Sequence, residues 1–81
     1  MDNFQIISEG FIFIDSEGKK SLTADGVEDL ADLGYFVSIY YNKKAVVASC
    51  PVSLPSYFDN EGAVKIRARE ICLQKLKKGL K

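Results

Sequence analysis

The chain predicts an α+β domain: a four-stranded, mostly antiparallel sheet with two helices on one face, in the order ββαββα. Three observations carry this. Tyr35–Tyr41 and Ala45–Cys50 are runs of β-branched and aromatic residues divided by the short polar break Asn42-Lys43-Lys44, the signature of a hairpin. Phe4–Ile7 and Phe11–Ile14 are two further apolar runs, separated by Ser8-Glu9-Gly10. Two stretches, Thr23–Leu33 and Asn60–Lys78, space their apolar residues as helices do.

Each element has its own local reason. Gly10 can take the positive φ of a tight turn, so the first two runs read as a hairpin. Asp15–Lys20 reads as the polar turn that ends the second strand. Val27, Leu30, Ala31 and Leu33 form an apolar stripe on the first expected helix. Asp25 and Glu28 are spaced as a capping box, with Ser21 or Thr23 as alternative caps, and Gly34 is placed as its left-handed stop. In the central hairpin, Asn42 is the residue of the break that best tolerates a left-handed backbone. Pro51–Phe58 holds two prolines, which cannot donate to a sheet, and reads as a loop or a short edge strand. The last helix starts at Asp59 or Asn60 as cap and runs to about Lys78, with Gly79 beyond it. Val64, Ala68, Ile71, Cys72 and Leu76 make its apolar side. A strand–helix–strand unit flanked by hairpins is most economically closed in the spatial order 1-2-4-3. That is a permuted ferredoxin-like sandwich with one sheet face left open.

Eighty-one residues make one domain spanning 1–81, and an apolar fraction of 47% is too high for disorder. Net charge is zero, so the whole chain is neither a polycation nor an acidic mimic of nucleic acid. No apolar run is long enough for a membrane span, and Met1–Gln5 lacks the basic and apolar segments of a secretory leader. Cys50 and Cys72, the two cysteines, are expected as buried thiols in a reducing cytoplasm. The chain has no histidine. It therefore has no ready general base near neutral pH, no Ser-His or Cys-His pair, and a poor donor set for zinc. Neither common phosphate-cradling glycine loop is present. The expectation is a protein without catalytic residues, metal or cofactor.

Binding remains. An open sheet face with aromatics is a docking surface by default, and Phe36 and Tyr40 share one face of their strand. Leu54, Tyr57 and Phe58 add apolar groups from the loop, and Asp29 and Asp32 belong to an acidic face of the first expected helix. These seven residues form the candidate partner-binding set, for a larger protein or complex or for a second copy of the chain. Small cytoplasmic domains of this kind are common among regulators, inhibitors, antitoxins and phage- or plasmid-borne proteins. Ala48-Ser49-Cys50-Pro51-Val52-Ser53-Leu54-Pro55, followed by a helix, is similar in outline to HicB-type antitoxins, and that resemblance implies a protein partner.

The alternative is nucleic acid. From Glu61 to Lys81 there are seven basic residues against two acidic ones, whereas Met1–Gly34 has eight acids against two lysines. Arg67, Arg69, Lys75, Lys77 and Lys78 on the last helix would meet phosphates while the aromatic sheet face stacks bases.

Overall fold

The computed structural model describes residues 4–23 and 30–79. It is an α+β arrangement of β1 (Phe4–Asp15), β2 (Lys20–Ser21), β3 (Leu30–Tyr41), β4 (Lys44–Pro51), α1 (Leu54–Asp59) and α2 (Glu61–Gly79). The strands form one open sheet in the order β2-β1-β3-β4, with every neighbouring pair antiparallel. The expected 1-2-4-3 order, with its parallel crossover, is therefore not the one adopted.

Two corrections explain the difference. The first expected hairpin is a single strand: β1 runs straight through Ser8-Glu9-Gly10. A bulge at Ile7 makes this possible, since Ile6 pairs with Ile39 and Ser8 with Ser38. The extra residue reverses the alternation, so Phe4 and Ile6 before it, and Glu9, Phe11 and Phe13 after it, share one face. Without the bulge the two apolar halves of β1 would face opposite ways. The polar break marks the point where the strand changes phase, and its glycine lies beside an aromatic ring: a Cβ at Gly10 would lie 3.6 Å from Phe36 Cε1.

The second correction concerns the helix expected at Thr23–Leu33. Leu30–Leu33 belong to β3, and residues 24–29 lie outside the described residues. Leu33 pairs with Phe13 and is buried at 1% exposure. The backbone bonds and apolar contact that β1 supplies override the helical propensity of Leu-Ala-Asp-Leu. Gly34 ends no helix. A side chain there would meet the Cys50 carbonyl oxygen at 3.3 Å, so the glycine allows β3 and β4 to approach closely.

The central hairpin forms as its sequence implies. Tyr41 pairs with Lys44, and the two loop residues Asn42 and Lys43 have φ of 53° and 63°, the left-handed pair of a type I′ turn. The 15–20 turn is also a turn: Asp15 Oδ1 accepts from the backbone N–H groups of Glu17 and Lys19, and Gly18 takes a φ of 86°. Pro51 ends β4 on the outside of the sheet. The remainder of the expected loop coils into α1, where Pro55 sits in a first turn that needs no N–H from it and Ser53 caps the end. Asn60 caps α2, its Oδ1 accepting from Ala63 N–H at 3.1 Å.

α2 lies across β3 and β4. Ala68, Cys72 and Leu76 at helical spacing meet Tyr35, Val37, Ile39 and Cys50 in one core. Tyr57 of α1 sets its ring edge-on against Phe11 and Phe13, with centroids 4.9 and 5.6 Å apart. No helix among the described residues is long and apolar enough to cross a membrane.

Candidate functional site: the open sheet face

Strand alternation and the observed register decide which side chains the helices leave uncovered. Tyr35, Val37 and Ile39 point into the core, so Phe36, Ser38 and Tyr40 point away from it. Their cross-strand partners share that face: Gly10, Ser8 and Gln5 on β1, and Ser49, Val47 and Ala45 on β4. Ile12 and Ile14 continue it toward β2. Tyr40 is 48% exposed and Val47 63%. Phe36 is half-buried, leaning over the bare backbone of Gly10. Two shallow grooves of about 280 and 260 Å³ share Ile12 and Lys20 as walls, one reaching Gly34 and Pro51, the other Phe36 and Leu22. The charged side chains that the register assigns to this face are Lys20, opposite Ile14, and Asp32, opposite the same isoleucine from the other side. The face is aromatic, aliphatic and close to neutral.

The remaining candidate partner contacts are distributed elsewhere. Asp32 is exposed on β3 and spends one carboxylate oxygen on the Leu33 N–H. Asp29 lies outside the described residues. Leu54 is half-buried at the start of α1. Tyr57 is internal packing: besides its contacts to Phe11 and Phe13, its hydroxyl donates to Glu61 at 3.3 Å. Burial and then the Glu61 charge push that phenol up. Phe58 stacks edge-on against Tyr57 and remains 70% exposed. Thus Phe36 and Tyr40 share the open face, while Leu54, Tyr57 and Phe58 belong to α1, where Tyr57 packs against Phe11, Phe13 and Phe58.

The five basic candidates of α2 are also divided. Arg69 turns inward, its Nε donating to Glu9 Oε1 at 2.6 Å. Lys75 Nζ donates to the Ser49 carbonyl at 2.9 Å. Arg67, Lys77 and Lys78 are exposed. α2 covers the face opposite to Phe36 and Tyr40, so the sheet itself separates the basic helix from the open-face aromatics.

Sequence reasoning missed one feature, the cluster of Glu9, Tyr35 and Arg69. Tyr35 hydroxyl and Arg69 Nε both donate to Glu9 Oε1, at 2.5 and 2.6 Å, on the helix side of the sheet. Burial pushes the Glu9 carboxyl up, but the hydrogen bonds from Tyr35 and Arg69 and the charges of Arg69 and Lys65 outweigh it, and its pKa ends below 4.5. Burial, then Glu9 as acceptor and as charge, push Tyr35 up to about 12. The carboxylate is held ionised and the phenol neutral, with both donors aimed at one oxygen. The arrangement locks β1 to β3 and α2. The only sequence signal for it was a glutamate inside an apolar run. A further groove of about 320 Å³ opens between β4, α1 and α2, with Val52, Val64, Ala68 and Ile71 as floor and Arg67 at its side. Among the described residues no group of three or more acidic or thiol side chains could hold a metal ion.

No family model matches the chain, and neither a curated protein nor a solved structure matches it.

Proposed function

We propose that the chain is a non-enzymatic protein-binding module, a regulator or inhibitor that occupies a surface of a larger protein or complex through its open sheet face. The observation that supports this most is the chemistry of that face. Phe36, Tyr40, Ile12 and Val47 lie on one side of the sheet, and among the described residues no helix lies over them, while Lys20 and Asp32 leave that side nearly neutral. Apolar and aromatic surface of this kind is favourable to bury against another protein. Phosphate binding needs several cations close together, and among the described residues the register assigns this face one, Lys20. The buried free thiols of Cys50 and Cys72 are compatible with work in a reducing cytoplasm, and an antitoxin-like or phage- or plasmid-borne inhibitor is the kind of protein this reading describes.

The test is capture of partners on the immobilised chain after nuclease treatment, followed by affinity measurement with the partner identified. Tyr40→Ala should weaken that complex by roughly 2 kcal/mol, as truncation of a central interface aromatic does. The double reversal Arg67→Glu with Lys78→Glu should leave it nearly unchanged. Salt-sensitive binding to DNA or RNA that those reversals abolish would replace this reading with the nucleic-acid one.

A further inference from the structure

The sheet has two long outer edges, and they are built differently. On β4 the edge is blunted. Val52 N–H donates inward to the Leu33 carbonyl at 2.9 Å, so by alternation Ser49 and Pro51 turn their backbone groups outward. Pro51 has no N–H to offer, the Ser49 carbonyl is occupied by Lys75, and Lys44 places a charge at the strand's start. These are the devices by which edge strands avoid pairing with other chains. β1 has neither the proline nor the lysines that guard β4, and its protection among the described residues is limited to the Ile7 bulge and the inward-turned Glu9. Among the described residues β2 covers β1 only at Phe13 and Ile14, which leaves the edge from Phe4 to Ile12 without a neighbouring strand. That stretch holds no proline, lysine or arginine, and its one charge, Glu9, is drawn across the sheet to Tyr35 and Arg69. Ile7, at the bulge, is 55% exposed.

We infer that β1 is a self-pairing edge: two copies of the chain join antiparallel along Phe4–Phe11 about a two-fold axis at the Ile7–Ser8 link. The bulge dictates this register. Because it reverses the alternation, a strand paired with itself across the bulge keeps its faces matched. Phe4 then lies opposite Phe11 of the other copy and Ile6 opposite Glu9, all on the helix side, while Gln5 lies opposite Gly10 on the open side. This is the longest run over which the faces agree. The partner is a second copy because the edge is complementary to itself: two aromatic pairs, and no like charges opposite one another. The pairing would also join the two open faces into one continuous surface. It is independent of the function proposed above, since it uses the sheet's edge and not its face.

The experiment is sedimentation equilibrium of the intact chain with two variants and one engineered pair. The wild type should show a monomer–dimer equilibrium. Ile7→Lys places two cations against each other at the axis and should raise the dissociation constant about tenfold or more. Val47→Lys, on the open face of β4 and away from the β1 edge, should leave it unchanged. Gln5→Cys with Gly10→Cys should oxidise to a covalent dimer, because within one copy the two positions are roughly 15 Å apart along the strand and cannot bridge. Circular dichroism of each variant reports whether the fold is kept. A wild type that stays monomeric overturns the inference. So does a dimer that survives Ile7→Lys but is lost in Val47→Lys, which would mean stacking of faces, or a folded cysteine pair that does not cross-link.

Discussion

Among the described residues Glu9 is the acidic side chain that the fold draws into a hydrogen-bonded cluster on the helix side of the sheet, and pH should reveal it. Its folded pKa lies below its unfolded value, so the stability it contributes is complete above the carboxylate range and is lost as pH falls through its folded pKa. Thermal melts should therefore fall in midpoint on acidification, and Glu9→Gln should flatten that limb of the profile. A variant with the wild-type acid slope would count against the cluster as a stabilising contact. The alkaline limb has the opposite sign. Cys72 is pushed up to about 12, by burial and then by the neighbouring Cys50, and Tyr35 to the same region. An unfolded thiol near 9.0 and an unfolded phenol near 10.0 release protons that the folded chain retains, so stability should decline as pH rises from about 9 toward 12. Replacing Cys72 by Ala should make that decline shallower while lowering the midpoint at neutral pH, since the sulfur is wholly buried beside the Tyr35 carbonyl.

At the scale of elements, the hairpin turn offers the most direct gain. Lys43 holds a φ of 63°, which costs an L-residue with a Cβ about 1 kcal/mol. Lys43→Gly produces the Asn-Gly pair that type I′ turns favour and should raise stability by about that amount, read as a higher urea midpoint with an unchanged slope. A lower midpoint would mean that the lysine makes a compensating contact. This hairpin was legible from sequence, as were α2 and its Asn60 cap, because each is specified by neighbours close in the chain: alternating β-formers around a polar break, or a cap followed by helical spacing. β1 and the start of β3 were not. Whether Ser8-Glu9-Gly10 turns or bulges depends on Tyr35 and Arg69, far away in sequence, which receive Glu9 once the strand is continuous. Whether Leu30–Leu33 coil or extend depends on Phe13. Local propensity favoured the turn and the helix, and long-range pairing overrode it. The candidate residues divide along the same line: alternation within β3 puts Phe36 and Tyr40 on one face, but the packing of Tyr35, Val37 and Ile39 against α2 decides that this face is the open one, and the contacts of Tyr57 and Arg69 depend on partners far away in sequence.

For the molecule as a whole, everything converges on β3. It carries Leu33, Tyr35, Val37 and Ile39 into the interior, pairs with β1 on one side and β4 on the other, and lies under α2. The chain is read out from its amino end, so β1 leaves the ribosome before the strand that shelters it exists. At about 5–20 residues per second, the apolar run Phe4–Ile14 is unaccompanied for on the order of seconds, with its edge and both faces exposed to other chains. The burden of protecting it during that interval falls on chaperones. Cross-linking of stalled nascent chains to a ribosome-bound chaperone should be strongest for lengths in which β1 has emerged and β3 has not. It should fade once Tyr41 clears the exit tunnel. Equal cross-linking at every length would mean that β1 finds shelter before its native partner arrives. The same central placement that stabilises the finished sheet makes its first strand the slowest to be safe.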